Sequence, residues 1–303
     1  MTSLSLSKKD RGDLKELLWI SPYAEQMLRQ GGKVCGVFSS ALAVACSGLA
    51  VMLEKDHIAV PLGGVLSEYR PDEWRQVLGE EVTWQGDRLL FGNRIGCDTN
   101  KVRQWQDLTI KKLPALGTEA YAQGLRQLKH ELHRCRRETG SSLVLGTLGW
   151  SLGEEPGDSG YFYRFAQSVK LLRQGVLRAD LSLMEEAQEG LVGFGTGLTP
   201  SGDDFLTGFW GTMKMRYKGR HSQVYEEAAG GLTRLAQRTT IYGYSELWAM
   251  EQGFLSQPLI KAIKLEDLEG LAQIGGTTGA DTLLGIAEAF RLLEVLDGET
   301  AWT

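Results

Sequence analysis

The sequence predicts an α+β protein, a β-rich N-terminal domain followed by a mainly α-helical C-terminal domain. Three observations predict it. Short Val, Leu, Ile and Trp runs punctuated by glycine turns fill the chain from Lys33 to Ile110, and after Pro114 the apolar spacing turns helical. Finally, 303 residues with 42% apolar and 23% charged content fit two folded domains and exclude wholesale disorder. The division expected is an N-terminal helical segment over 1–32, a β-rich domain over 33–114 and a helical domain over 115–303.

In the first part, Val34 to Leu53 carries no charge over a membrane-span length. Its Gly36, Ser39, Ser40, Ser47 and Gly48 favour two buried strands with a turn near Ser47-Gly48 instead, so no membrane partner is expected. Glu81 to Phe91 reads as a hairpin turning at Gly86-Asp87. The first ten residues contain no continuous apolar core of the secretory type, and a cytoplasmic location is the expectation.

In the second part, Tyr121, Leu125, Leu128, Leu132 and Cys135 step by four, three, four and three and share a helix face. Thr118 reads as its N-cap and Gly140 as its stop. Further helices are expected over 161–172, 182–188 with a Ser182/Glu185 capping box, 200–217, 223–238, 247–254 and 280–296.

Composition then narrows function. A net charge of −5 and a pI near 5.6 argue against nucleic acid as a partner. Four scattered cysteines form neither a disulfide framework nor a thiolate zinc site. The histidine pair in His130-Glu-Leu-His133 is one residue short of a zincin motif and lies among arginines, as a solvated face would. No Gly-x-Ser-x-Gly nucleophile motif is present. Glycine is the unusual residue, 38 where average usage gives roughly 21.

The glycines concentrate in Gly190-Leu-Val-Gly-Phe-Gly-Thr-Gly-Leu-Thr-Pro-Ser-Gly-Asp-Asp-Phe-Leu-Thr-Gly208. Thr199 reads as an N-cap, Pro200 as the first helical residue, and Ser201, Gly202, Asp203 and Asp204 as the first turn. A glycine loop feeding a helix start presents bare N–H groups and the positive dipole end to one point, which suits phosphate or carboxylate. Gly195, Thr196, Gly197, Thr199, Ser201 and Gly202 are the candidate anion-binding residues. A turn with dipole-complementing acids explains the same residues without a ligand.

Thr278-Gly-Ala-Asp-Thr-Leu-Leu-Gly285 repeats the pattern of Ser201-Gly-Asp-Asp-Phe-Leu-Thr-Gly208, 77 residues on. Both read [Ser/Thr]-Gly-x-Asp-x-Leu-x-Gly. Facing each other, two such helix starts would enclose one ligand, with Thr277, Thr278 and Gly279 added to the binding set. Asp203, Asp204 and Asp281 are the candidate catalytic acids, and Asp203 with Asp204 the candidates to hold Mg²⁺; no other cofactor is called for. A duplicated structural cap is the alternative. Arg238 and Thr239, near Arg234 at a helix end, are candidates for gripping an anion opposite the loops.

The two motifs together resemble the AllH-like family (domain DUF2877). The second motif departs from the His-Ser/Thr-Ser-Gly type sequence of that resemblance, reading Gly276-Thr-Thr-Gly279. The resemblance, read over most of the chain, implies a subunit of an oxamate carbamoyltransferase of allantoin (purine) degradation. That enzyme moves a carbamoyl group between carbamoyl phosphate and oxamate, or phosphorolyses oxalurate in reverse, together with other subunits. A non-catalytic ligand-binding or assembly subunit stays open, as does a Mg²⁺-dependent small-molecule kinase, which the acid pair favours and the missing P-loop lysine opposes.

Overall fold

The computed structural model describes residues 15–55, 58–105, 107–114, 116–139 and 160–300. Gly140, the expected helix stop, lies outside them. The chain forms two compact units, parting between Asp107 and Leu108.

The first unit is a nine-stranded sheet that closes on itself. Its strands are β1 (Lys15–Ile20), β2 (Gly32–Val37), β3 (Ala41–Cys46), β4 (Leu49–Glu54), β5 (Gly63–Leu66), β6 (Glu81–Gln85), β7 (Arg88–Phe91), β8 (Ile95–Asp98) and β9 (Arg103–Gln104). The order β5-β4-β3-β2-β6-β7-β8-β1-β9 is completed by β1 pairing with β5. Closure gives β1 to β8 a partner on each side around the ring, while β9 pairs with β1 alone. Inward residues such as Leu17, Ile20, Val44, Leu53, Val82, Leu89 and Phe91 pack with Trp74 into one core.

Two expectations change here. The uncharged run 34–53 supplies most of three strands rather than two, although its turn is at Ser47-Gly48 as expected, both residues in the left-handed region. The segment expected to be helical over 1–32 contains strand β1; only α1 (Pro22–Arg29), capped by Ser21, is helical. Lys-Glu-Leu-Leu-Trp-Ile alternates buried and exposed residues, and its pairing with β5, β8 and β9 sets its conformation. The hairpin over 81–91 forms as read, Gln85 pairing with Arg88.

In the second unit, after the short α2 (Pro71–Trp74) of the first, come α3 (Thr118–Thr139), α4 (Gly160–Arg178), α5 (Leu181–Leu191), α6 (Ser201–Arg216), α7 (Ser222–Ala229), α8 (Ile241–Glu251), α9 (Gln257–Ile263), α10 (Leu268–Ala272) and α11 (Thr278–Thr300). The apolar face of α3 is buried as predicted at Tyr121, Leu128, Leu132 and Cys135, while His130 and His133 are exposed. Asp180, not Ser182, caps α5, accepting from the Leu183 amide. The helix expected over 223–238 breaks at Gly230-Gly231 into α7 and a 3-10 turn, Leu232–Arg238.

Helix α6 organises this unit. All its residues except Lys214 are buried, so it is a central helix packed on every side. It crosses α11 at two glycines that make room for one another's backbone. A Cβ on Gly208 would overlap the Thr282 carbonyl oxygen, and one on Gly285 would overlap that of Phe205. Each glycine faces the residue that follows the motif aspartate of the other helix.

Candidate functional site

The sequence repeat is also a repeat in space. Phe194 and Ile274 amides donate to the carbonyls of Leu191 and Leu271, at the ends of α5 and α10, at 2.9 and 3.0 Å. Gly202 and Gly279 amides then donate to the Phe194 and Ile274 carbonyls at 2.7 and 3.0 Å. Side chains at Gly202 or Gly279 would overlap the Leu191 or Leu271 carbonyls. Each half is therefore a helix end, a reversing loop and a helix start held together through a glycine.

The two helix starts meet. Thr199 and Thr278 hydroxyls share a hydrogen bond of 2.9 Å, which joins the two motifs directly. Here the structure differs from the capping expectation: Pro200 occupies the N-cap position, with ψ of 142°, and the helix begins at Ser201. Proline has no side-chain acceptor, so Thr199 is left to bridge to the second motif rather than to cap the first. Between Gly193 and Pro200 the loop turns through left-handed glycines, Gly195 at φ +124° and Gly197 at φ +107°, conformations that side-chain-bearing residues rarely adopt. Thr196, Gly197 and Leu198 form its exposed tip.

Asp203 ties this loop to the neighbouring helix. Its Oδ1 accepts from the Gly193 amide at 2.9 Å and its Oδ2 from the Thr239 hydroxyl. Gly243 of α8 has no side chain where that carboxylate sits. The Thr240 hydroxyl donates to the Leu198 carbonyl and also accepts from the Gly243 amide, capping α8. Burial pushes the Asp203 carboxyl up to about 6, against the lowering effect of its two donors.

Asp204 and Asp281 are each fully buried in the first turns of α6 and α11. Burial holds the Asp204 carboxyl well above the usual carboxylate range, and the charges of Glu246, Asp281 and Asp203 raise it further. Glu246 on α8, half-buried, carries one of the carboxyl groups that raise that of Asp204. Three helices thus carry carboxyl groups whose charges act on Asp204 or belong to it: Asp204 from α6, Glu246 from α8 and Asp281 from α11.

Glu246 is absent from the set the sequence offered. It lies in Ile241-Tyr-Gly-Tyr-Ser-Glu-Leu-Trp-Ala-Met250, and the only signal there is a single acid within an apolar helical stretch. Arg238, read as a cation opposite the glycine loops, donates instead to the Glu189 carbonyl at 2.6 Å and pairs with the Glu189 carboxylate at 3.5 Å. Arg234 pairs with Glu185 at 2.9 Å. Both guanidinium groups are thus held on α5. Among the described residues no group of three or more His, Cys, Asp or Glu side chains is arranged to hold a metal ion. Asp203 and Asp204, the residues read as Mg²⁺ candidates, turn to different partners, the loop and the acid cluster.

Among the described residues no helix is long and apolar enough to cross a membrane. No solved structure matches the chain. A family model matches residues 191–290, a narrower span than the resemblance suggested, running from the end of α5 into α11 and containing both motifs and Glu246. That family is described as oxamate carbamoyltransferase subunit AllH, and the resemblance read from the motifs is to the same family: over the segment that builds this site, the chain is similar to it.

Proposed function

We propose that this chain is a subunit of an oxamate carbamoyltransferase-like enzyme and binds the anionic part of its substrate at the two joined helix starts. The observation that supports this reading best is the Thr199–Thr278 bridge: it lies inside the segment matched by the family and brings two helix N-termini to one point. Amides of Thr196, Gly197, Leu198 and Thr199 on one side, and the start of α11 at Thr277 and Thr278 on the other, would receive phosphate or carboxylate oxygens. In the forward reaction an acceptor nitrogen attacks the carbonyl carbon of carbamoyl phosphate. A C–N bond forms, the C–O bond to phosphorus breaks, phosphate leaves, and the nitrogen gives up one proton. In reverse, a phosphate oxygen attacks the carbamoyl carbon of oxalurate, and the departing oxamate nitrogen regains the proton. Donors fixed at helix ends stabilise charge on the phosphate oxygens as it develops. In this reading Asp204 and Asp281, with Glu246, serve as the acids of the site, while Asp203 positions the loop.

The reading includes other subunits as partners, as the description of the family implies. The test is oxalurate plus phosphate, monitored for carbamoyl phosphate, with the chain alone and with its co-purified neighbours. Turnover only in the complex is the expected result. Failure of the complex with every carbamoyl acceptor, together with ATP-dependent phosphorylation of a small molecule, would replace it with the kinase reading.

A further inference from the structure

We propose that the acid cluster of Asp204, Glu246 and Asp281 is a subsite for a nitrogen bearing N–H donors, a primary amide or an ammonium group. The inference rests on the reading above and deepens it, by assigning the other end of the substrate. Three observations carry it.

First, the charged groups that act on Asp204 are Glu246, Asp281 and Asp203, all carboxylates; no cation is among them. A buried carboxylate among like charges is costly unless something donates to it. Second, neither oxygen of Asp204 has a hydrogen-bond donor among the described residues, although the group is fully buried.

Third, the Thr207 hydroxyl is buried and has no hydrogen-bond partner among the described residues. Other buried helical threonines here behave differently. Thr212 donates to the Gly208 carbonyl at 2.7 Å and Thr282 to the Thr278 carbonyl at 2.8 Å, each four residues back. Thr207 lies one turn beyond Asp204 on the same face of α6, and side chains on a helix lean toward its N-terminus. The hydroxyl therefore sides with the acids. Carboxylate oxygens with one hydroxyl match a group that donates several N–H bonds. An anion held at the helix starts and a nitrogen held at the acids would orient a small molecule that carries both.

The experiment uses the full chain. Thermal unfolding is followed in ammonium chloride and in potassium chloride, cations of similar size of which only ammonium donates N–H bonds. Calorimetry compares oxamate with oxalate, which replaces the amide nitrogen by oxygen. Ammonium is expected to raise the unfolding midpoint above that in potassium, and oxamate to bind at least tenfold tighter than oxalate. Both differences should vanish in Asp204→Asn and shrink in Thr207→Val, which keeps the side-chain shape. Equal responses to ammonium and potassium would overturn the inference, as would a preference undiminished in Asp204→Asn. A larger Asp204-dependent shift with Mg²⁺ would overturn it as well. Ammonium and potassium carry no phosphate, carboxylate or carbamoyl group, so the first arm stands if the carbamoyl reading fails. Phosphorolysis without ammonium selectivity would overturn this inference alone.

Discussion

The two halves of the site share a framework and differ in what is hung on it. In the first half Leu191 and Gly202 are joined by a loop that runs through Gly193, Gly195 and Gly197; in the second, Leu271 and Gly279 are joined by a shorter loop through Gly275 and Gly276. The residue between motif glycine and motif aspartate is Asp203 in the first half and Ala280 in the second. What the halves share is explained by packing: glycines that seat a helix start on a carbonyl, and glycines that let α6 and α11 cross. What they do not share is the length of the loop, three left-handed glycines (Gly193, Gly195 and Gly197) against one (Gly275), and the aspartate that fixes the longer loop to α8. The comparison separates the shared scaffold from the loop of the first half, and the proposed function assigns the buried motif aspartates, common to both halves, to the ligand.

The largest effect should come from breaking the shared part. Gly285→Val places two methyl groups where the Phe205 carbonyl and the Phe209 amide lie. Backbone on a central helix cannot yield as a flexible side chain does. A loss of about 3 kcal/mol or more is expected in urea unfolding, at or above the usual range for overpacking. Gly208→Val, the same position in the other half, should cost a similar amount; a large disparity would refute the local two-fold relation.

A smaller effect should follow from the unshared part. Asp203→Ala removes the acceptor of the Gly193 amide and the Thr239 hydroxyl. About 1–3 kcal/mol is expected, with the loop becoming more susceptible to proteolysis near Leu198. Ala280→Ser, at the matching position of the second half, should leave that loop intact.

The smallest effect is the pH dependence of the acids. Asp203 is raised to about 6 and Asp204 is raised well above its ordinary value, so the folded protein holds protons that the unfolded chain has released. Such groups reduce stability as pH rises from about 4, where the unfolded carboxyls ionise, through the folded values. Stability should therefore decline from pH 4 through 6 and beyond on account of these groups. Asp204→Asn should raise the unfolding midpoint more at pH 8 than at pH 5, with a gain of at least about 1.4 kcal/mol, the free energy of a tenfold difference in proton affinity. An equal gain at both values would mean that Asp204 is not held protonated.

Much of this was legible in the chain. The succession from strands to helices follows from the change of period near Pro114, and the repeated motif by itself singles out the two helix starts. Three things were not legible, each for a physical reason. Strand β1 takes its conformation from partners far along the chain, the closest of them on β5. Thr199 has the residue type of a cap, but Pro200 takes the cap position and frees its hydroxyl for a contact 79 residues away. Glu246 carries no motif, and its place beside Asp204 arises from the packing of α8, which Gly243 permits by making room for Asp203.

The central claim is that the joined helix starts receive an anion. A crystal structure of the protein soaked with phosphate or carbamoyl phosphate tests it most directly. The account predicts anion density at the amides of Thr196 to Thr199, within reach of Thr277 and Thr278. An empty loop with well-bound anion elsewhere on the chain would contradict it.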